Sequence, residues 1–370
     1  MNDCTKKYFV GLDVHKDTIV IAVAEPGRGP GRSLGTVPFE LSALRKVLER
    51  LGPAESVTCC YEAGPTGYGL ARDLLALGYG CDVIAPSLMP QKSGDRIKTD
   101  RRDGLKLAVG YRNGELTPVF IPDERTEAIR DLSRAREDAK KAEITARHQL
   151  GKFLLRQGCR YPGKSAWTDA HRKWVTAQEF TESAHRHVVA DAIAAMDAAS
   201  FRCRQLTERL REEVVGWPLE PLVKALQALR GVEFVTAVGL SCEVVDFRRF
   251  AKAGHLMAYL GLVPSEASSG GRRRQGPITK TGNGHARRLL VEAAWHYRRQ
   301  PRMSKALRDR SVGLSPVVCG IAWKAQKRLH NRMRKMINRG KPPGEAATAA
   351  ARELSGFVWA IAQEVGPVRA

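Results

Sequence analysis

The run Tyr8-Phe9-Val10-Gly11-Leu12-Asp13-Val14-His15-Lys16-Asp17-Thr18-Ile19-Val20-Ile21-Ala22-Val23-Ala24 decides how the amino-terminal third folds. Two β-rich stretches, Tyr8 to Asp13 and Thr18 to Ala24, flank the short turn His15-Lys16-Asp17, which predicts a β-hairpin. Working outward, Thr36 to Glu40 is a third strand, and Pro38 assigns it to an edge because proline cannot donate to a ladder. Leu41 to Leu51 has helical spacing. Ser56 to Glu62 and Cys81 to Ala85 are apolar strands, with a helix over Tyr68 to Leu77 between them that Gly78 ends.

The order β-β-β-α-β-α-β-α predicts a mixed sheet covered by helices, an α/β domain of the ribonuclease-H-like kind. Pro118 and Pro122 close it, and a long helical region follows. Ala128, Leu132, Ala135, Ala139, Ala142, Ala146, Gln149 and Phe153 form a heptad seam, and Val189, Ile193, Met196, Ser200, Cys203, Thr207, Leu210 and Val214 form a second. Gly158 to Lys164 interrupts them, so the two helices form either a hairpin within the chain or a coiled-coil arm that pairs with another copy. Gly216-Trp217-Pro218 to Pro221 marks the next boundary, beyond which the chain is mostly helical. Its Gly231-Val-x-x-x-Thr236-Ala237 turn is like that of a backbone-binding helix-hairpin-helix. Ala322 to Ile337 is a basic helix, and Ala346 to Ala362 is a last apolar one. Three parts result: 1–122, 123–218 and 219–370.

The 370 residues carry a formal charge of +22, unevenly placed. From Gly270 to Lys341, 20 lysines and arginines face two acids, Glu292 and Asp309. Charge concentrated in this way is a footprint for a polyanion, and nucleic acid is the commonest one. A membrane partner is not expected, because no run of about 18 apolar residues exists and Met1 to Lys7 lacks the apolar core of a signal peptide. None of the eight cysteines forms a C-x-x-C pair, so they read as reduced thiols of a cytoplasmic protein. His185 and His187, with no third ligand near them in sequence, read as part of a surface loop.

Four acids carry the chemistry. Asp13 and Glu62 end strands, and Asp100 and Asp103, three apart, share one side of a helix. If that helix packs beside the strand ends, the carboxylates converge and their repulsion calls for a cation. Two Mg²⁺ ions about 4 Å apart then serve a phosphodiester. The plainer alternative leaves Asp13 decorating a turn and Asp100 and Asp103 on a solvated face with Arg101 and Arg102. Asp95, Arg96 and Lys98 are further phosphate contacts on this reading. Ser268-Ser269-Gly270-Gly271-Arg272 suits either a phosphate-binding loop or a serine nucleophile, since glycine removes bulk and arginine neutralises phosphate.

Tyr8-Phe-Val-Gly-Leu-Asp13-Val-His-Lys, Tyr61-Glu62-Ala-Gly-Pro65-Thr-Gly and Lys98-Thr-Asp100-Arg-Arg-Asp103 resemble motifs of the DEDD transposases of the insertion-sequence-110 family. So do Gly261-Leu-Val-Pro264 to Ser269-Gly-Gly, Ile278-Thr-Lys-Thr-Gly282-Asn and Ala322-Trp-Lys-Ala. The resemblance implies a RuvC-like catalytic domain at 1–122, a coiled-coil segment at 123–218 and a transposase domain at 219–370. It implies metal ligands at Asp13, Glu62, Asp100 and Asp103, and a nucleophile at Ser269, with Ser268 adjacent as the alternative. It also implies dimers assembling into tetramers, a structured non-coding guide RNA, donor and target DNA, and a place near the bacterial nucleoid. Arg272, Arg273, Arg274, Lys280, Arg287, Arg288, Lys324, Lys327 and Arg328 are the candidate nucleic-acid contacts. Two rival expectations are a junction-resolving endonuclease that uses water as nucleophile and a non-enzymatic binding protein whose acids are structural.

Overall fold

The computed structural model describes residues 8–90, 99–269 and 272–366, with the backbone alone for Ser269, Arg272 and Arg273. Backbone contacts divide the chain into two compact units, Met1–Pro122 with Ala258–Gly284, and Asp123–Met257 with His285–Ala370.

The first unit is built on five strands, β1 (Tyr8–Val14), β2 (Thr18–Ala24), β3 (Arg32–Pro38), β4 (Val57–Glu62) and β5 (Gly80–Ile84), in the order β3-β2-β1-β4-β5. β1, β2 and β3 pair antiparallel, whereas β1 with β4 and β4 with β5 pair parallel. The mixed sheet read from the sequence is therefore present. Helices α1 (Leu41–Glu49) and α2 (Gly69–Ala76) supply Leu44, Leu48, Leu70 and Leu74 to the core that holds Val10, Leu12, Ile21 and Tyr61. Pleating sends alternate residues to the other face, where Ala22, Ala24 and Cys60 meet Ala108 and Leu107 of α3 (Asp100–Arg112). Small residues there let α3 lie close to the sheet.

β3 starts at Arg32, earlier than the Thr36 expected, because Arg32 to Gly35 is a half-exposed edge stretch whose single apolar residue, Leu34, makes no alternating pattern. Pro38 closes that strand at the edge of the sheet. Ser268 and Ser269 of the serine stretch lie on a strand, and Gly270 and Gly271 fall outside the described residues. Pro264–Ser269 (β6) and Arg272–Ile278 (β7) form an antiparallel ribbon within the first unit, with Ser269 paired to Arg272 and Ser268 to Arg273.

The second unit is helical. Its longest elements, α4 (Glu124–Arg156) and α6 (Ser183–Val214), pack along each other within the chain, with α5 (Asp169–Thr176) between them in sequence. Asp123 caps α4 by accepting the Thr126 amide at 2.8 Å. The α6 stripe is as read, with Val189, Met196, Cys203, Leu210 and Val214 buried. The α4 stripe is as read at Ala139, Ala146 and Phe153, but Ala128, Ala142 and Gln149 are exposed, and Ile129, Arg130, Ser133, Glu143 and Leu150 are buried instead. Two charged residues sit in that stripe: Arg130 donates from Nε to the Cys242 carbonyl at 2.9 Å, and Glu143 pairs with Lys140 and Arg147. His185 and His187 lie in the first turns of α6 rather than in a loop, and His185 packs edge-on against Phe153.

The remaining helices are α7 (Glu220–Leu226), α8 (Phe234–Val244), α9 (Ala253–Tyr259), α10 (Gly284–Ala294), α11 (Lys305–Ser311), α12 (Pro316–Asn338) and α13 (Pro343–Val365). Gly231, at φ 81°, turns the chain between α7 and α8, and a Cβ there would lie 2.4 Å from the Ala293 carbonyl. Among the described residues the seven cysteines are free thiols, and no helix is long and apolar enough to cross a membrane.

Candidate active site

β1 and β4 run parallel with Leu12 opposite Tyr61, so the residues that follow, Asp13 and Glu62, reach the same end of the sheet. α3 begins beside them. Thr99 caps it by accepting the Arg102 amide, and Asp100 and Asp103 occupy its first turn, where the helix dipole favours negative charge. The approach of α3 is set by Gly11, whose missing side chain lets the α3 backbone pass against β1. Farther along α3, Tyr111 donates to the Asp82 carboxylate at 2.6 Å and lies 3.1 Å from the Thr58 hydroxyl, which fixes the helix along β4 and β5.

Asp13, His15 and Asp100 form one group in which a ligand atom from each lies within 4.8 Å of the others. His15 Nε2 is 3.2 Å from Asp13 Oδ2 and 3.6 Å from Asp100 Oδ2. Asp103 is the more enclosed of the helix pair, and Lys106 Nζ lies 3.5 Å from its Oδ1. Burial raises the pKa of Asp13. His15 lowers it in part, and the Asp100 and Asp103 carboxylates raise it further. Three carboxylates therefore act on one another on an open face. Glu62 is exposed at the same end of the sheet but outside the three-residue group. Hard oxygen donors that repel one another fit a divalent cation, and the imidazole extends the set toward first-row transition ions. His15 was read from the sequence only as part of a turn. The Asp-x-His spacing on a strand end was a signal, but its meaning depends on Asp100 arriving from α3.

The proposed nucleophile Ser269 is the last residue of β6, and its side chain lies outside the described residues. Its neighbour Ser268 is exposed and donates from Oγ to Glu266 Oε1 at 2.8 Å. Gly270, Gly271, Asp95, Arg96 and Lys98 are also outside the described residues, as are the side chains of Arg272 and Arg273.

The other basic candidates fall into two groups. Arg274, Lys280, Lys324 and Lys327 are exposed, and Lys327 Nζ sits 5.8 Å from the centre of the Trp323 ring. Arg288 is held by Glu137 and Glu292, Arg328 donates to Glu353 at 2.6 Å, and Arg287 is half-buried. These three are tied into the helical unit.

An acid-bearing strand-end site in a strongly basic chain marks a protein that works on nucleic acid. Residues 223–308 match the family model described as Transposase IS116/IS110/IS902 family, and residues 10–157 match the model of the DEDD transposases of IS110 type, described as Transposase. The chain is 45% identical over 361 residues to the Sinorhizobium fredii protein y4qE, named as a transposase, covering 97% of this chain and 89% of that one. It is 30% identical over 335 residues to the transposase for insertion sequence element IS1533 of Leptospira borgpetersenii, covering 90% and 97%. It is 24% identical over 291 residues to the transposase for insertion sequence element IS1328 of Yersinia enterocolitica, covering 78% and 83%. The chain belongs to the IS110 family of insertion-sequence transposases, and DNA strand cleavage and joining is the activity of that family.

Proposed function

We propose that this transposase cuts and rejoins DNA through a covalent phosphoserine link, with Asp13, Glu62, Asp100 and Asp103 as metal ligands and Ser269 as nucleophile. The observation that carries the reading is the meeting of Asp13, at the carboxyl end of β1, with the acid-bearing first turn of α3. Two Mg²⁺ ions, when bound, neutralise these carboxylates and polarise the scissile phosphodiester. The Ser269 hydroxyl gives its proton to solvent as it attacks phosphorus, the P–O bond to the leaving strand breaks and that oxygen takes up a proton from solvent, and the serine–phosphate bond conserves the energy for attack by a hydroxyl of another strand. That β6 falls in the same compact unit as the acids supports this division of labour. The sheet order supports a ribonuclease-H-like, RuvC-like domain at 1–122.

The paired helices supply the coiled-coil segment at 123–218, and residues 219–370 complete the transposase domain. The exposed residues Arg274, Lys280, Lys324 and Lys327 serve the phosphate backbone of DNA or of a structured guide RNA, in a dimer that assembles into a tetramer.

The test is a strand-transfer reaction quenched in denaturant. Wild-type protein and Ser268→Ala retain DNA bound to protein, while Ser269→Ala loses the adduct and keeps nucleic-acid binding. An adduct that survives Ser269→Ala but not Ser268→Ala moves the nucleophile by one residue, and no adduct from any of the three returns the reaction to water as nucleophile. Sequencing RNA that co-purifies with the protein tests the guide.

A further inference from the structure

The segment joining α4 to α6 holds a cavity of about 120 Å³, lined by Arg147, Trp167 and His171, by Arg172 in an ion pair with Asp197, by Asp169, and by the apolar Leu150 and Ile193. That is several times the space one water needs, about 10–15 Å³, and well below the roughly 300 Å³ of sites that enclose drug-sized ligands. It suits one ring system. The His171 imidazole is 6% exposed, and its Nδ1 is enclosed with no hydrogen-bond partner. Arg147 Nε is likewise enclosed and unmatched. Burial lowers the His171 pKa, so the ring is neutral and Nδ1 serves as donor or acceptor by choice of tautomer.

Trp167 and His171 are the aromatic rings of the lining, and Tyr161 packs against His171 from outside it. Trp167 and Tyr161 stand edge-on to His171, with centroids 4.9 and 4.7 Å away, and the Arg147 guanidinium lies 5.6 Å from the centre of the Trp167 ring. Trp167 is half-buried at φ 67°, a left-handed conformation that costs a bulky residue energy and holds its ring beside the cavity. Arg156, Arg160, Lys164 and Lys173 are exposed on the same segment and outnumber its exposed acids Asp169, Glu179 and Glu182, so free cations stand near the cavity.

We propose that this cavity receives one unpaired nucleobase, which stacks on Trp167 and hydrogen-bonds to His171 Nδ1, while the surrounding cations take the adjoining phosphates. Planarity matches the indole, a polar ring edge satisfies the orphaned imidazole nitrogen, and the charge matches a polyanion. An apolar side chain of another protein would leave Nδ1 unmatched. The site is separate from the acidic one and does not depend on that assignment.

The probe is a short abasic strand carrying a single 2-aminopurine, made as DNA and as RNA, beside the same strands with no base. Full-length wild-type protein is expected to quench the 2-aminopurine and to bind the base-bearing strand about tenfold more tightly than the bare one. Trp167→Ala should remove both differences while leaving the bare-strand affinity unchanged. Quenching with DNA places a base of the DNA substrate in the cavity, and quenching with RNA places a base of a bound RNA there; either outcome supports the site. Equal affinity of the wild type for both strands overturns it. A second measurement needs no variant. Photocrosslinking of a strand with a single 5-iodouracil should label the tryptic peptide Ser165 to Arg172, and adducts confined to other peptides overturn the proposal.

Discussion

Gly11 and Gly104 meet backbone to backbone, and the contact is one-sided. A Cβ on Gly11 would lie 2.3 Å from the Gly104 carbonyl oxygen and 2.4 Å from the Ala108 amide nitrogen, whereas a Cβ on Gly104 would find its nearest neighbour at 3.6 Å. Gly11→Ala must therefore push α3 off β1, and a destabilisation of about 3 kcal/mol is expected, at the upper end for overpacking. Gly104→Ala instead gains the helical preference of alanine, about 0.5–1 kcal/mol. Urea unfolding midpoints check both. Because the same approach carries Asp100 to Asp13, Gly11→Ala should also lose DNA cleavage under conditions where it remains folded.

Asp13 binds its proton more tightly in the folded protein than in the unfolded chain, because burial, Asp100 and Asp103 outweigh His15. The stability linked to that proton is full below the unfolded pKa and is lost as pH rises through the raised folded one. At neutral pH the ionised carboxylate works against the metal-free fold. Asp13→Asn should then melt at a higher temperature than wild type in chelator at neutral pH, with the gap closing as the solution is acidified, and should abolish cleavage. Added Mg²⁺ or Mn²⁺ should raise the melting temperature of the wild type more than that of the variant. A variant no more stable than wild type in chelator would show that the acid cluster is not under strain.

His15 faces two of the acids and adds a nitrogen donor to an oxygen set. Imidazole contributes more to Mn²⁺ than to Mg²⁺. His15→Ala is expected to weaken Mn²⁺ binding more than Mg²⁺ binding when both are followed by calorimetry on the full chain. Equal losses would confine the imidazole to bracing Asp13 and Asp100.

How much of this was legible in the sequence follows from what each element buries. β1, β2, β4 and β5 announce themselves because they are mostly apolar, with polar residues kept largely to their ends or to single positions, and Pro38 announces the edge. The β6–β7 ribbon does not, since Glu266, Ala267 and Ser268 are exposed and nothing apolar alternates along them. The α6 stripe was readable because its buried residues are mostly apolar. The α4 stripe was readable only in part, at Ala139, Ala146 and Phe153, since a hydrophobic pattern does not count Arg130 and Glu143 as core, yet both are buried with polar partners. The acids were legible one by one as strand-end and helix-start residues. Their meeting rests on Gly11, which looks in sequence like any glycine in a strand.

Glu243 on α8 shows how the helical unit tolerates such charge. Its side chain is 2% exposed, and Arg134 of α4, half exposed, grips it from Nε and Nη2 at 2.8 and 3.0 Å. Two parallel charge-assisted bonds offset the loss of water around the carboxylate. The two ends of the pair are unequal, because Arg134 freed of its partner can turn to solvent and Glu243 cannot. Arg134→Ala should therefore cost about 3 kcal/mol. Adding Glu243→Leu to Arg134→Ala removes the buried carboxylate and should recover part of the loss. Urea unfolding of wild type, single and double variants measures this, and a double variant no more stable than Arg134→Ala would show that α8 is held to α4 by other contacts.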